Sequence, residues 1–195
     1  MRSLLVSLLF LLAVPAIAND AAGGLVAYGD STARGVGAKQ TWLERLGTAH
    51  SREVRNAGKD RQGVEAMAQS ATDDAEHHAW IAIFYDRRNA GETPDDWIAA
   101  VSAAIAARGT DRFLIMPQVP VSGGREDGIT LPVLIEINER IRATWPENSF
   151  DAATEAEFLA ILDSDANRAD RIHRNDAGQA IEAEFIGRWL AQKGW

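Results

Sequence analysis

The sequence predicts an α/β domain whose parallel sheet is covered by helices on both faces. Two observations predict it. Residues 25–28 (LVAY), 80–85 (WIAIFY) and 113–117 (FLIMP) are continuous apolar runs rather than alternating ones, as strands buried on both faces should be. Between and after them, apolar residues recur at helical spacing, and strand–helix alternation is what builds a parallel sheet.

The elements follow in order. A weaker strand is expected over 53–56 (EVRN), between helices over 42–46 and 64–71. A helix over 94–107 opens with Thr93 as N-cap and Pro94 in the first turn, and Gly109 closes it. Further helices are expected over 131–145 and 176–192, the last capped by Asn175. The stretch 121–128 (VSGGREDG) reads as a loop after the fourth strand. In open α/β sheets the loops at the strand C-terminal ends hold the ligand, so the chemistry is sought there.

Composition narrows the function. The 195 residues include no cysteine, which excludes a disulfide scaffold, a thiol nucleophile and thiolate metal sites. A net charge of −8 argues against nucleic acid as partner, since phosphate neutralisation needs surplus Lys and Arg. Met1-Arg2, an apolar run over 4–17 and the small residues of Ala16-Ile17-Ala18 form the pattern of a cleaved secretory signal. The expectation is a leader over 1–18 and one domain over 19–195, periplasmic or secreted. The apolar run is short of the ~20 residues that span a bilayer, so no stable membrane anchor is expected.

Two loops carry the sharpest motif. The first strand runs into Gly29-Asp30-Ser31, where a serine just past a buried strand can expose its hydroxyl. Far along the chain, Asp170-Arg171-Ile172-His173 precedes the last helix. An aspartate three residues before a histidine can accept its Nδ1–H, leaving Nε2 to take a serine proton. Together, G-D-S near the start and D-x-x-H-x-N before the final helix resemble the SGNH (GDSL-type) hydrolases.

That resemblance implies a flavodoxin-like three-layer α/β/α sandwich, and ester hydrolysis without metal or cofactor. Ser31 would be the nucleophile, His173 the base and then acid, and Asp170 the residue that orients the imidazole. The family's oxyanion hole would use the Ser31 N–H, a loop N–H in N-x-G-x-x-G, and an asparagine in G-x-N. Here Asn56-Ala57-Gly58 supplies Gly58, while the later glycine is Arg61 or is displaced to Gly63. In Arg87-Arg88-Asn89 the asparagine is kept as Asn89 and the glycine has become Arg87.

Other candidates fail on spacing. The 163–167 run (DSDAN) begins like a calcium loop but has Arg168 and Arg174 where the glycine and closing Glu belong. Asp73, Asp74, His77 and His78 have no second cluster to complete a metal shell, and Gly35-Val36-Gly37 lacks a dinucleotide fingerprint's third glycine. Trp42 follows the serine loop and is a candidate substrate contact. The expected mouth gathers Arg34, Lys59, Arg61, Arg87, Arg88, Arg171 and Arg174 in an acidic chain, which suggests either a preference for anionic esters or loop bracing by Asp60 and Asp86. The expected activity is an exported serine esterase acting on short-acyl or carbohydrate O-acyl esters. The alternatives are a lysophospholipase or thioesterase of the same family, and a catalytically silent glycan-binding module.

Overall fold

The computed structural model describes residues 23–89, 91–120, 125–126 and 129–195. The expected leader over 1–18, and all of the 121–128 loop except Arg125–Glu126, lie outside them. Four strands pair in parallel in the order β2-β1-β3-β4: β1 (Leu25–Gly29), β2 (Val54–Asn56), β3 (Ile81–Tyr85) and β4 (Phe113–Ile115). A single bridge from Ile115 to Ser149 extends the sheet past β4. Arg125–Glu126 (β5) and Ile129–Thr130 (β6) form a separate antiparallel pair.

Alternate residues of the sheet feed two cores. Leu25, Ala27, Ile81, Ile83 and Leu114 pack with α2 (Trp42–His50), α6 (Ala152–Leu162) and α7 (Asp176–Gln192). Val26, Tyr28, Ala82, Phe84 and Ile115 pack on the opposite face with α3 (Val64–Asp73), α4 (Pro94–Arg108) and α5 (Leu131–Thr144). Side chains fully buried this way each contribute roughly 1.5–3 kcal/mol of transfer free energy. The result is the three-layer α/β/α sandwich. The residues of β2 are exposed, as suits a short edge strand carrying Arg55.

The local signals act as their chemistry predicts. Thr93 and Asp96 form a reciprocal cap on α4, and Gly109 ends it at φ +63°. Asn175 Oδ1 accepts from the N–H groups of Ala177 and Gly178, both at 3.0 Å. Two helices were not anticipated. The one-turn α1 (Ser31–Arg34) is too short to show a period, and α6 clusters Phe158, Leu159, Ile161 and Leu162 without a clear stripe. The Asp151 side chain, which accepts from Thr154 N at 2.7 Å, is the cap that marks the start of α6.

Candidate active site

The serine turn is forced by its neighbours. Gly29 ends β1 at φ +150°, and a Cβ there would lie 2.0 Å from the Tyr85 carbonyl oxygen on β3. Only glycine lets the two strand ends close up in this way. Asp30 then caps α1, its Oδ1 accepting from Thr32 N at 2.7 Å. Burial pushes the Asp30 carboxyl above its usual range, against the Thr32 hydrogen bonds and the charges of Arg87 and His173. Trp42 is fully buried and its indole N–H donates to the Thr32 carbonyl at 3.2 Å. It braces the turn from behind rather than facing the mouth.

The histidine comes from the loop before α7. His173 Nε2 lies 2.9 Å from Ser31 Oγ, across 142 residues of sequence. His173 Nδ1 lies 2.8 Å from Asp170 Oδ2. Asp170 Oδ1 also accepts from the backbone N–H groups of Ile172 and His173, both at 2.7 Å. Partial burial works against the Asp170 charge, but these bonds outweigh it and bring its pKa down to about 2. The carboxylate therefore stays ionised wherever the imidazole needs an acceptor. A hydroxyl, an imidazole and a carboxylate in this chain can move a proton off the serine oxygen as it attacks.

The loop is tied down from several sides. Arg168 donates to the Arg171 carbonyl, the Pro120 carbonyl and Asp163. Arg174 is buried over α7, with Nε 3.9 Å from Glu182 Oε1, and the same oxygen accepts from Tyr85 Oη at 2.7 Å. Glu182 thus links the end of β3 to the histidine loop. Sequence reading missed it because an acid in a long C-terminal helix looks like a solvated one.

The two expected donor loops are locked to each other. Glu92 accepts from Val64 N at 2.9 Å through Oε1 and from Asn89 N at 2.8 Å through Oε2, so it caps the bare start of α3. The Asn89 amide donates to the Gln62 carbonyl at 3.1 Å, which uses one of its two N–H bonds. The Gly58 N–H donates to Asn56 Oδ1 at 3.0 Å, so the donor expected there is engaged within its own turn. Arg61, by contrast, stands at φ +59°, a conformation glycine adopts freely and a residue with a Cβ resists.

The expected ring of mouth cations is thinner than the sequence suggested. Arg88 is 8% exposed and its guanidinium donates to the Glu92 carbonyl, while Arg174 is 3% exposed. Arg34, half-exposed, pairs with Asp60 at 3.0 Å, so bracing accounts for it. Asp74 and His77 belong to a structural knot: Asp74 accepts from Tyr28 and Arg55, both at 2.9 Å, and lies 2.7 Å from the His77 ring.

No family model matches the sequence, and no curated protein does. Solved structures match across nearly the whole chain. A G-D-S-L family lipolytic protein from Veillonella parvula shares 19% identity over 88% of this chain and 100% of its own, with a TM-score of 0.68. The fold is that of the G-D-S-L lipolytic proteins. A lipase/acylhydrolase from Enterococcus faecalis gives a TM-score of 0.70 at 13% identity, over 88% of this chain and 96% of its own. An acetylxylan esterase from Geobacillus stearothermophilus gives 0.64 at 15% identity, over 87% and 96%. At such identities a shared G-D-S-L fold leaves the chemistry to be argued from the site.

Proposed function

We propose that the chain is an exported serine esterase of the SGNH (GDSL) type, cleaving carboxylic esters through an acyl-serine intermediate. The observation that carries this reading is the chain Ser31 Oγ–His173 Nε2 at 2.9 Å and His173 Nδ1–Asp170 at 2.8 Å. Ser31 Oγ attacks the ester carbonyl as His173 takes its proton, and Asp170 compensates the imidazolium. His173 then protonates the departing alcohol, and water attacks the acyl-serine by the same route to release the acid.

The oxyanion is assigned to the Ser31 N–H, the second N–H of the Asn89 amide, and the loop at Arg61. Arg61 takes the place of the later glycine in N-x-G-x-x-G, and its left-handed φ keeps the backbone shape that glycine would serve. Losing one oxyanion donor costs on the order of 10²–10³ in turnover. The Asn89→Ala variant is expected to lose activity on that scale while its thermal midpoint drops only slightly. More than half the turnover remaining would remove Asn89 from the hole.

Among esters, short-acyl or carbohydrate O-acyl substrates are favoured, in keeping with the acetylxylan esterase among the structural neighbours. Export rests on the leader-like 1–18 segment. A fluorophosphonate probe tests the whole reading. Labelling at neutral pH that disappears in Ser31→Ala supports an active serine, and the mass of the labelled exported protein should correspond to a chain starting at Asn19. An unlabelled but folded protein would instead favour a silent binding module.

A further inference from the structure

Hydrogen bonds hold the backbone on both sides of His173. Asp170 Oδ1 accepts from the Ile172 and His173 N–H groups, and the His173 carbonyl accepts from Ala169 N at 2.9 Å. The Ile172 carbonyl, in the peptide that leads into the histidine, accepts from the Arg174 guanidinium at 3.2 Å. Asp170 and Ala169 are exposed residues of the same turn. Arg174, 3% exposed, is the partner whose side chain runs into the core.

Two elements build its seat. Gly178 on α7 leaves the space, since a Cβ there would lie 2.9 Å from Arg174 Cβ and 3.3 Å from its Cδ. Further along α7, Glu182 is completely buried, with Oε1 3.9 Å from Arg174 Nε. Tyr85, at the end of β3, donates to that same oxygen at 2.7 Å. A guanidinium carries five N–H donors in a rigid plane, so one side chain can serve the Ile172 carbonyl and face Glu182 together. Resting on the esterase reading above, we infer that Arg174 is a positioning residue for His173, hanging the histidine's peptide on the buried Tyr85–Glu182 pair. Asp170 sets the tautomer of the imidazole, and Arg174 sets where the ring stands relative to Ser31 Oγ. Such placement matters because a shift of about 1 Å in a reacting group can cost on the order of 10² in rate.

Removing the guanidinium alone would leave Glu182 buried opposite no cation. Arg174→Met is therefore combined with Glu182→Gln, which keeps an oxygen for Tyr85. Neutralising both partners together is expected to hold the thermal midpoint close to the parent's. In this double variant kcat for 4-nitrophenyl acetate should fall roughly tenfold to a hundredfold, with KM within about twofold of the parent's. Hydrogen exchange should quicken at the His173 amide and stay unchanged in α7. Arg174→Lys keeps a cation beside Glu182, but one ammonium cannot reproduce the fork, so this variant should fold and still lose kcat. Parental kcat in either folded variant would overturn the positioning role, as would unchanged exchange at His173 in both. A parent protein that takes no fluorophosphonate label fails the esterase reading instead, and exchange at His173 then still tests the tie through Arg174.

Discussion

Replacing either Ser31 or His173 by alanine is expected to lower ester turnover by roughly 10⁶, and replacing both should cost no more than either alone. The non-additivity follows from the geometry. The serine hydroxyl is a weak nucleophile until the imidazole 2.9 Å away accepts its proton, and the imidazole has no task once that hydroxyl is gone. Asp170→Asn should cost on the order of 10⁴, because an amide can present its N–H to Nδ1 and favour the wrong tautomer. The half-exposed Asp170 side chain and the solvent-side loop make these changes mild for folding, so circular dichroism and thermal midpoint should stay close to the parent. Single-turnover assays on an acetate ester provide the measurement. A His173→Ala protein retaining a tenth of parental turnover would show that another group takes the serine proton.

These expectations began in the sequence because the features behind them are local. Buried strands announce themselves by unbroken apolar runs, and Thr93, Asn175 and Gly109 mark helix ends by side-chain or backbone chemistry that needs no distant partner. The Ser31–His173 pairing was legible only through resemblance, since nothing in composition brings together residues 142 apart. What stayed hidden is mostly direction. Arg88 and Arg174 read as mouth cations, yet both turn inward, Arg88 to the Glu92 carbonyl of its own loop and Arg174 to the Glu182 carboxylate on α7. Gly58 matched a motif while its N–H was already taken by Asn56. The tie from Glu92 to the start of α3 and to Asn89 joins two loops whose sequences do not mention each other.

Raising the pH from about 4.5 to about 7 is expected to lower the protein's thermal stability, and Glu182→Gln should remove much of that slope. Glu182 is completely buried on α7. Burial raises its pKa to about 7, more than the Tyr85 hydrogen bond and the Arg174 charge hold it down. A carboxyl whose folded pKa lies above its unfolded value binds its proton more tightly when folded. Its stabilisation is complete below the unfolded pKa and is lost as pH climbs through the folded one. At 1.36 kcal/mol per pKa unit, the Glu182 share is about 3 kcal/mol in scale. Asp30 and Asp86, both raised chiefly by burial, push in the same direction. His50, lowered by burial and by Arg52, works the other way as pH falls, which is why the informative quantity is the difference between parent and variant. Glutamine keeps an oxygen for the Tyr85 hydroxyl, so the variant removes the titration while leaving that bond in place. Calorimetric midpoints of parent and variant should lie nearest each other at low pH, and the difference should shift in favour of Glu182→Gln as pH rises toward 7. A variant whose midpoint falls as steeply as the parent's would place the buried charge elsewhere, with Asp86 the next group to change, because burial and the nearby charges of Asp30 and Glu92 push its carboxyl well above the usual range.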